Sequence, residues 1–88
     1  MDVEKRSIQI IAEHLGIPES DVGLTATFSE TLGADSLDLV ELTLELEDEF
    51  AIEISDYEAR GVLTVGDAIA LIAAKRQLQK IAYLTLSP

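Results

Sequence analysis

Cysteine is absent from these 88 residues. Its absence excludes a disulfide framework, a thiolate metal site and a cysteine nucleophile, so any thiol chemistry must come from an added group. Lysine and arginine are scarce: six stand against 17 Asp and Glu, for a net charge of −11, and none occurs from Ser7 to Ala59. That balance opposes phosphate-bearing ligands and anionic membrane surfaces, so nucleic acid is not expected and protein partners should be basic. No apolar run approaches the roughly 18 residues of a membrane span, so stable membrane insertion is not expected. The opening residues Met1 to Arg6 lack the apolar segment of a signal peptide, and a cytoplasmic location is the expectation. Turn-bounded alternating runs are missing too, and no strand is predicted. A chain this short holds one domain with a modest core, burying roughly 60% of its unfolded surface, and a monomer is expected.

What remains is helical spacing. The predicted class is all-α, a bundle of three main helices plus one short helix with a long first loop. Ile8, Ile11, Ala12 and Leu15 form one face of a first helix over about residues 3 to 15, stopped by Gly16 and Pro18. Residues 16 to 35 read as a connection with at most a helical turn at Glu19 to Asp21. A loop of that length must pack, and Ile17, Val22, Leu24, Phe28 and Leu32 are its apolar anchors. Asp35 and Asp38 cap a second helix running to Phe50, Ser55 and Glu58 frame a short third one ended by Gly61, and Thr64 caps a fourth. That fourth helix carries Val65, Ala68, Ile69 and Ile72 and ends favourably near Lys75 and Arg76.

The second helix has two apolar sides. Leu39, Leu42, Thr43, Leu46 and Phe50 make an ordinary core face. Leu37, Val40 and Leu44 project oppositely, with Glu41 and Asp48 among them and Asp38, Glu45 and Glu47 around them. Burying that many unpaired acids would cost more than three aliphatic side chains return, so this stripe is expected to be an exposed docking surface.

Ser36 begins this helix, where free N–H groups and the helix dipole favour an anion, and a phosphate esterified there would be stabilised. As a nucleophile in its own right it has no assignable base. His14, the only histidine, has no metal-ligand spacing around it and reads as a surface or helix-end residue without a role. The chain is not expected to be an enzyme.

Phe28-Ser29-Glu30-Thr31-Leu32-Gly33-Ala34-Asp35-Ser36-Leu37-Asp38, followed by Val40-Glu41-Leu42, Leu46-Glu47, Glu49-Phe50, Ile54 and Leu63-Thr64-Val65-Gly66-Asp67, closely resembles acyl carrier proteins of the free-standing, fatty-acid type. The resemblance covers about residues 3 to 76, giving a carrier domain over 1–76 and a C-terminal extension over 77–88, either a helix continuation or a frayed tail. It implies that a phosphopantetheinyl transferase attaches a 4′-phosphopantetheine arm to Ser36 and that the arm carries acyl groups as thioesters. Basic-surfaced acyltransferases, ketosynthases and related enzymes of fatty-acid or similar lipid synthesis would then receive them. Asp35 matches the residue that assists Mg²⁺ in the transferase encounter, with Asp38 beside it in recognition. Leu37, Val40, Glu41, Leu44, Glu47 and Asp48 fall on the docking face. Phe28, Leu46, Ile54, Ala59, Val62, Ala68 and Ile72 match positions that shelter an acyl chain.

Two other readings stand beside this one. Peptidyl and D-alanyl carriers share the scaffold and arm. An acidic scaffolding or divalent-cation-binding protein would need neither, although the ligand pattern of an EF-hand is absent. The chain also departs from general fatty-acid carriers at Ser29, Thr31, Arg60 and Gly61, and in its apolar extension. These departures suggest a specialised member with dedicated partners.

Overall fold

The fold is described by a computed structural model covering residues 2–86, with side-chain surroundings through Ile81. Helix α1 spans Val3–Leu15. It starts because Asp2 accepts the Lys5 N–H at 3.1 Å, and it stops because Gly16 takes the left-handed conformation at φ 68°, where a Cβ would be penalised. Its inward face is Ser7, Ile10, Ile11 and Ala12. Ile8 and Leu15, expected at the centre of that face, sit at its margins and are only partly covered, because the helix is rolled toward Ser7 and Ile10.

Helix α2, Ser36–Phe50, opens on a complete capping box: Asp38 N–H donates to Asp35 Oδ1 at 2.8 Å and Asp35 N–H to Asp38 Oδ2 at 3.1 Å. Leu42, Leu46 and Phe50 are buried. Leu39, placed on the same face by its spacing, is about a third exposed. Ala51 ends α2 in a left-handed conformation, φ 53°, although it is not glycine. Helix α3, Asp56–Arg60, has the expected reciprocal box between Ser55 and Glu58. Helix α4, Val65–Leu86, begins at Thr64, whose Oγ1 accepts the Asp67 N–H at 3.0 Å. It continues past Arg76 to Leu86, so the backbone of the extension is helical up to that residue. Ser87 and Pro88 lie outside the described residues.

The long loop between α1 and α2 carries one 3₁₀ turn, Glu19–Asp21, and is fastened mainly by backbone. Phe28 N–H donates to Leu63 O, Val65 N–H to Ala26 O and Gly66 N–H to Leu24 O at 2.8 Å, around a single antiparallel bridge between Thr27 and Thr64. Val22, Ala26, Phe28 and Ala34 are buried beneath it. Leu24, expected as an apolar anchor, is exposed; its carbonyl does the anchoring. A Cβ on Gly66 would stand 3.0 Å from that carbonyl oxygen, which explains the glycine. Helix packing concentrates on α1 with α2 and α1 with α4. Ile11, Val65 and Ile72 form the fully buried centre.

Candidate functional site

Ser36 is the first residue of α2 and is exposed. The helical ladder begins with Leu39 N–H to Asp35 O, and Asp38 N–H is taken by Asp35 Oδ1. The N–H groups of Ser36 and Leu37 therefore precede the ladder, at the end of the helix that favours negative charge. An exposed hydroxyl beside these donors fits a phosphodiester. The two neighbouring carboxylates are tied to backbone donors, and Asp38 is held below the usual carboxylate range chiefly by Asp35 N–H, against partial desolvation, with His14 adding to the effect.

Behind α2 lies an apolar cavity of about 90 Å³. All seven side chains matched to an acyl shelter line it: Phe28, Leu46, Ile54, Ala59, Val62, Ala68 and Ile72. Leu39, Leu42, Thr43 and Leu71 complete the lining. The first three were legible as the inward stripe of α2, and Leu71 as the neighbour of Ala68 on α4 at three-residue spacing. Leu39, Thr43, Ile54 and Ala59 also floor a shallow groove on the outer surface between α2 and α3, so the wall separating cavity from solvent is one side chain thick.

The outward stripe of α2 is exposed as expected, with Leu37 at 64%, Val40 at 58% and Leu44 at 56%. Its acids divide into three settings. Glu47 points toward the loop after α2, where Oε2 accepts the Ile54 N–H at 2.7 Å, so it fastens that loop. Asp48 lies on the α1 side, in a groove with Arg6, Glu13, His14, Glu45 and Glu49. Glu41 approaches His14 at 3.5 Å. The face is thus apolar along its middle, with its α1 flank partly neutralised.

His14 departs from the expectation of a surface residue. Its side chain is only 10% exposed, and Asp38, Glu41 and Glu45 surround it at 3.3 to 3.5 Å. The one sequence signal was its isolation: it is the sole group able to become a cation between Ser7 and Ala59. Because these carboxylates engage the chain's only imidazole, it is not poised as a base for the serine.

Residues 8–79 match the family model described as the phosphopantetheine attachment site.

Proposed function

The chain belongs to the phosphopantetheine-attachment family of carrier proteins, of acyl carrier type, and on that premise we propose that Ser36 is the attachment residue and that the cargo is a fatty-acyl or related lipid intermediate. The exposed serine at the start of α2, ahead of the hydrogen-bond ladder, is the observation that carries this reading. Carrier domains of this family are not themselves catalytic, and here the only imidazole is engaged by carboxylates, so the base for attachment belongs to a transferase. In that step Ser36 Oγ forms a bond to phosphorus while the pyrophosphate link of coenzyme A breaks. The hydroxyl proton passes to the transferase base and the nucleotide leaves with the displaced phosphate. The attached arm supplies a thiol that holds an acyl group as a thioester.

The remaining assignments follow from charge and shape. Leu37, Val40 and Leu44 offer an apolar strip to acyl-processing enzymes, and Glu41 and Asp48 add negative charge for basic partner surfaces. The cavity behind α2 suits a short saturated chain better than an aminoacyl group, whose ammonium would be buried among aliphatic side chains without a partner. This favours an acyl carrier over a peptidyl or D-alanyl one. Arg60, exposed at the rim of the α2–α3 groove, supports a dedicated partner set, and a cytoplasmic setting is part of the proposal. The test is intact-mass measurement after incubation with coenzyme A and a phosphopantetheinyl transferase, on the parent and on Ser36→Ala. The parent should gain one arm and the variant none; an arm on the variant would refute the assignment.

A further inference from the structure

The imidazole of His14 bridges two helices with both of its nitrogens. Nε2 lies 3.3 Å from Asp38 Oδ1 and 3.5 Å from Glu41 Oε2, while Nδ1 lies 3.3 Å from Glu45 Oε2. A neutral ring has one N–H and one lone pair, so in either tautomer the lone pair would confront a carboxylate oxygen. Only the doubly protonated ring donates on both sides. The three acids are spaced three, four and seven residues apart on one face of α2 and repel one another unless a cation lies between them. Arg6 is the other cation of this groove, and it is committed to Glu49 at 2.9 Å. Glu13 on α1 and Asp48 on α2 add only negative charge there. Burial works against the ring's charge, but hydrogen bonds to Glu45 and Asp38 and the fields of Glu45 and Glu41 outweigh it and raise the His14 pKa.

Asp38 links this clasp to the serine. One of its oxygens faces His14, and the other accepts the Asp35 N–H in the box that flanks Ser36. A single carboxylate therefore joins α1 to the first turn of α2.

We propose that His14 is a positioning residue for arm attachment: its imidazolium, held by Asp38, Glu41 and Glu45, fixes the first turns of α2 and so the presentation of the Ser36 hydroxyl. This rests on the assignment of Ser36. When the ring loses its proton, the box keeps its two backbone bonds, but one nitrogen turns a lone pair toward Asp38 and Glu41 or toward Glu45, and without the cation between them the acids of that face repel. The start of α2 then frays. A transferase meets this as weaker docking rather than slower chemistry, because the base is its own.

The experiment is steady-state arm transfer from coenzyme A by a phosphopantetheinyl transferase, at fixed saturating Mg²⁺ between pH 6 and 9. Parent, His14→Gln and His14→Lys are compared, with the His14 titration followed by NMR. For the parent, KM should rise roughly two- to fivefold, the range of a part-exposed charge interaction, as pH passes the His14 midpoint, while kcat follows the transferase alone. His14→Gln should show the high KM at every pH, and His14→Lys, cationic throughout, the low one. Amide shifts from Ser36 to Leu39 should move with the same midpoint in the parent. Superimposed KM profiles for the parent and His14→Gln, or a His14→Lys variant no closer to the parent than His14→Gln, would overturn the role of His14. Should His14→Gln not fold, the parent's own profile against the flat one of His14→Lys decides the matter, and two equally sloped profiles overturn the proposal. If no arm appears on Ser36 in any variant at any pH, the attachment assignment itself falls and this inference with it.

Discussion

Filling the cavity behind α2 from the inside should make the protein indifferent to its cargo. The void is about 90 Å³, and at ~24 cal/mol per Å³ an unfilled space of that size costs about 2 kcal/mol. An acyl chain placing about three methylenes there, at ~0.8 kcal/mol each, recovers about the same amount. Ala68→Leu offers a second route, since Ala68 is buried on α4 and lines the void, and its replacement adds a comparable apolar volume. The expected outcome for the unacylated protein is that Ala68→Leu gains about 1–2 kcal/mol in urea unfolding, the void energy less some strain. Attaching a butyryl or hexanoyl group should stabilise the parent by about 2 kcal/mol, or roughly 8–16 °C in Tm for a domain of this size. The same group should add under about 0.5 kcal/mol to Ala68→Leu, where only surface contacts remain. Equal acyl-dependent gains in both proteins would show that the chain lodges elsewhere. Loss of stability in unacylated Ala68→Leu, at the ~1–3 kcal/mol typical of overpacking, would show that the void cannot accept a side chain.

Val40→Ala and Leu37→Ala should slow transfer to acyl-processing enzymes with little dependence on salt, whereas Asp48→Lys should slow it by an amount that shrinks as ionic strength rises; stopped-flow association at two salt concentrations checks both. Glu47→Lys should also lower stability, by about 1–3 kcal/mol, because the Ile54 N–H loses its carboxylate acceptor, and urea melts separate that loss from docking. Ser7 Oγ is fully buried with no hydrogen-bond partner among the described residues, so Ser7→Ala should raise stability by about 1 kcal/mol; an unchanged or lower unfolding free energy would refute the reading. Ala51→Gly should gain about 0.5–1 kcal/mol by relieving the left-handed strain at φ 53°, measured the same way. Glu58, bonded to Lys75 and the Ser55 N–H, is depressed from 4.5 to about 2. Its folded pKa lies below its unfolded one, so its stabilisation is fully present above pH 4.5 and is lost as pH falls toward 2. The deficit of Glu58→Gln should accordingly be constant near neutrality and vanish across that window in acid melts.

The helices were legible because their starts are written in short-range chemistry. Asp35 with Asp38, Ser55 with Glu58 and Thr64 with Asp67 each satisfy donors three residues away, which spacing alone reveals. The exposed stripe of Leu37, Val40 and Leu44 was legible for a related reason, since acids on its borders forbid burial. Contacts between segments distant in sequence were not. Nothing local predicts that Leu24 anchors the long loop through its carbonyl, or that Glu47 reaches seven residues forward to Ile54. The surroundings of His14 depend on how α1 is rolled against α2, a rotation that the periodicity placed too close to Ile8 and Leu15. The end of α2 at Phe50 was legible, but the left-handed Ala51 that closes it was not, because glycine is the usual mark of such an end. There Gln79 of α4 donates to the Ala51 carbonyl at 2.8 Å.

Helix α3 is five residues long and stands apart from the main helix packing, while Lys75 Nζ holds Glu58 at 2.7 Å. Ala59 on this helix, with Ile54 before it and Val62 after it, is part of the cavity wall. The protein therefore runs on two clocks. Global unfolding must dismantle the packing of α1, α2 and α4, whereas swinging this one panel aside breaks the Glu58–Lys75 ion pair, the Glu47–Ile54 hydrogen bond and a few apolar contacts, and such local openings occur far more often. An occupant that entered and left through this wall would do so on the faster clock, so a variant that loosened only α3 should retain its full melting temperature and still lose its hold on the contents.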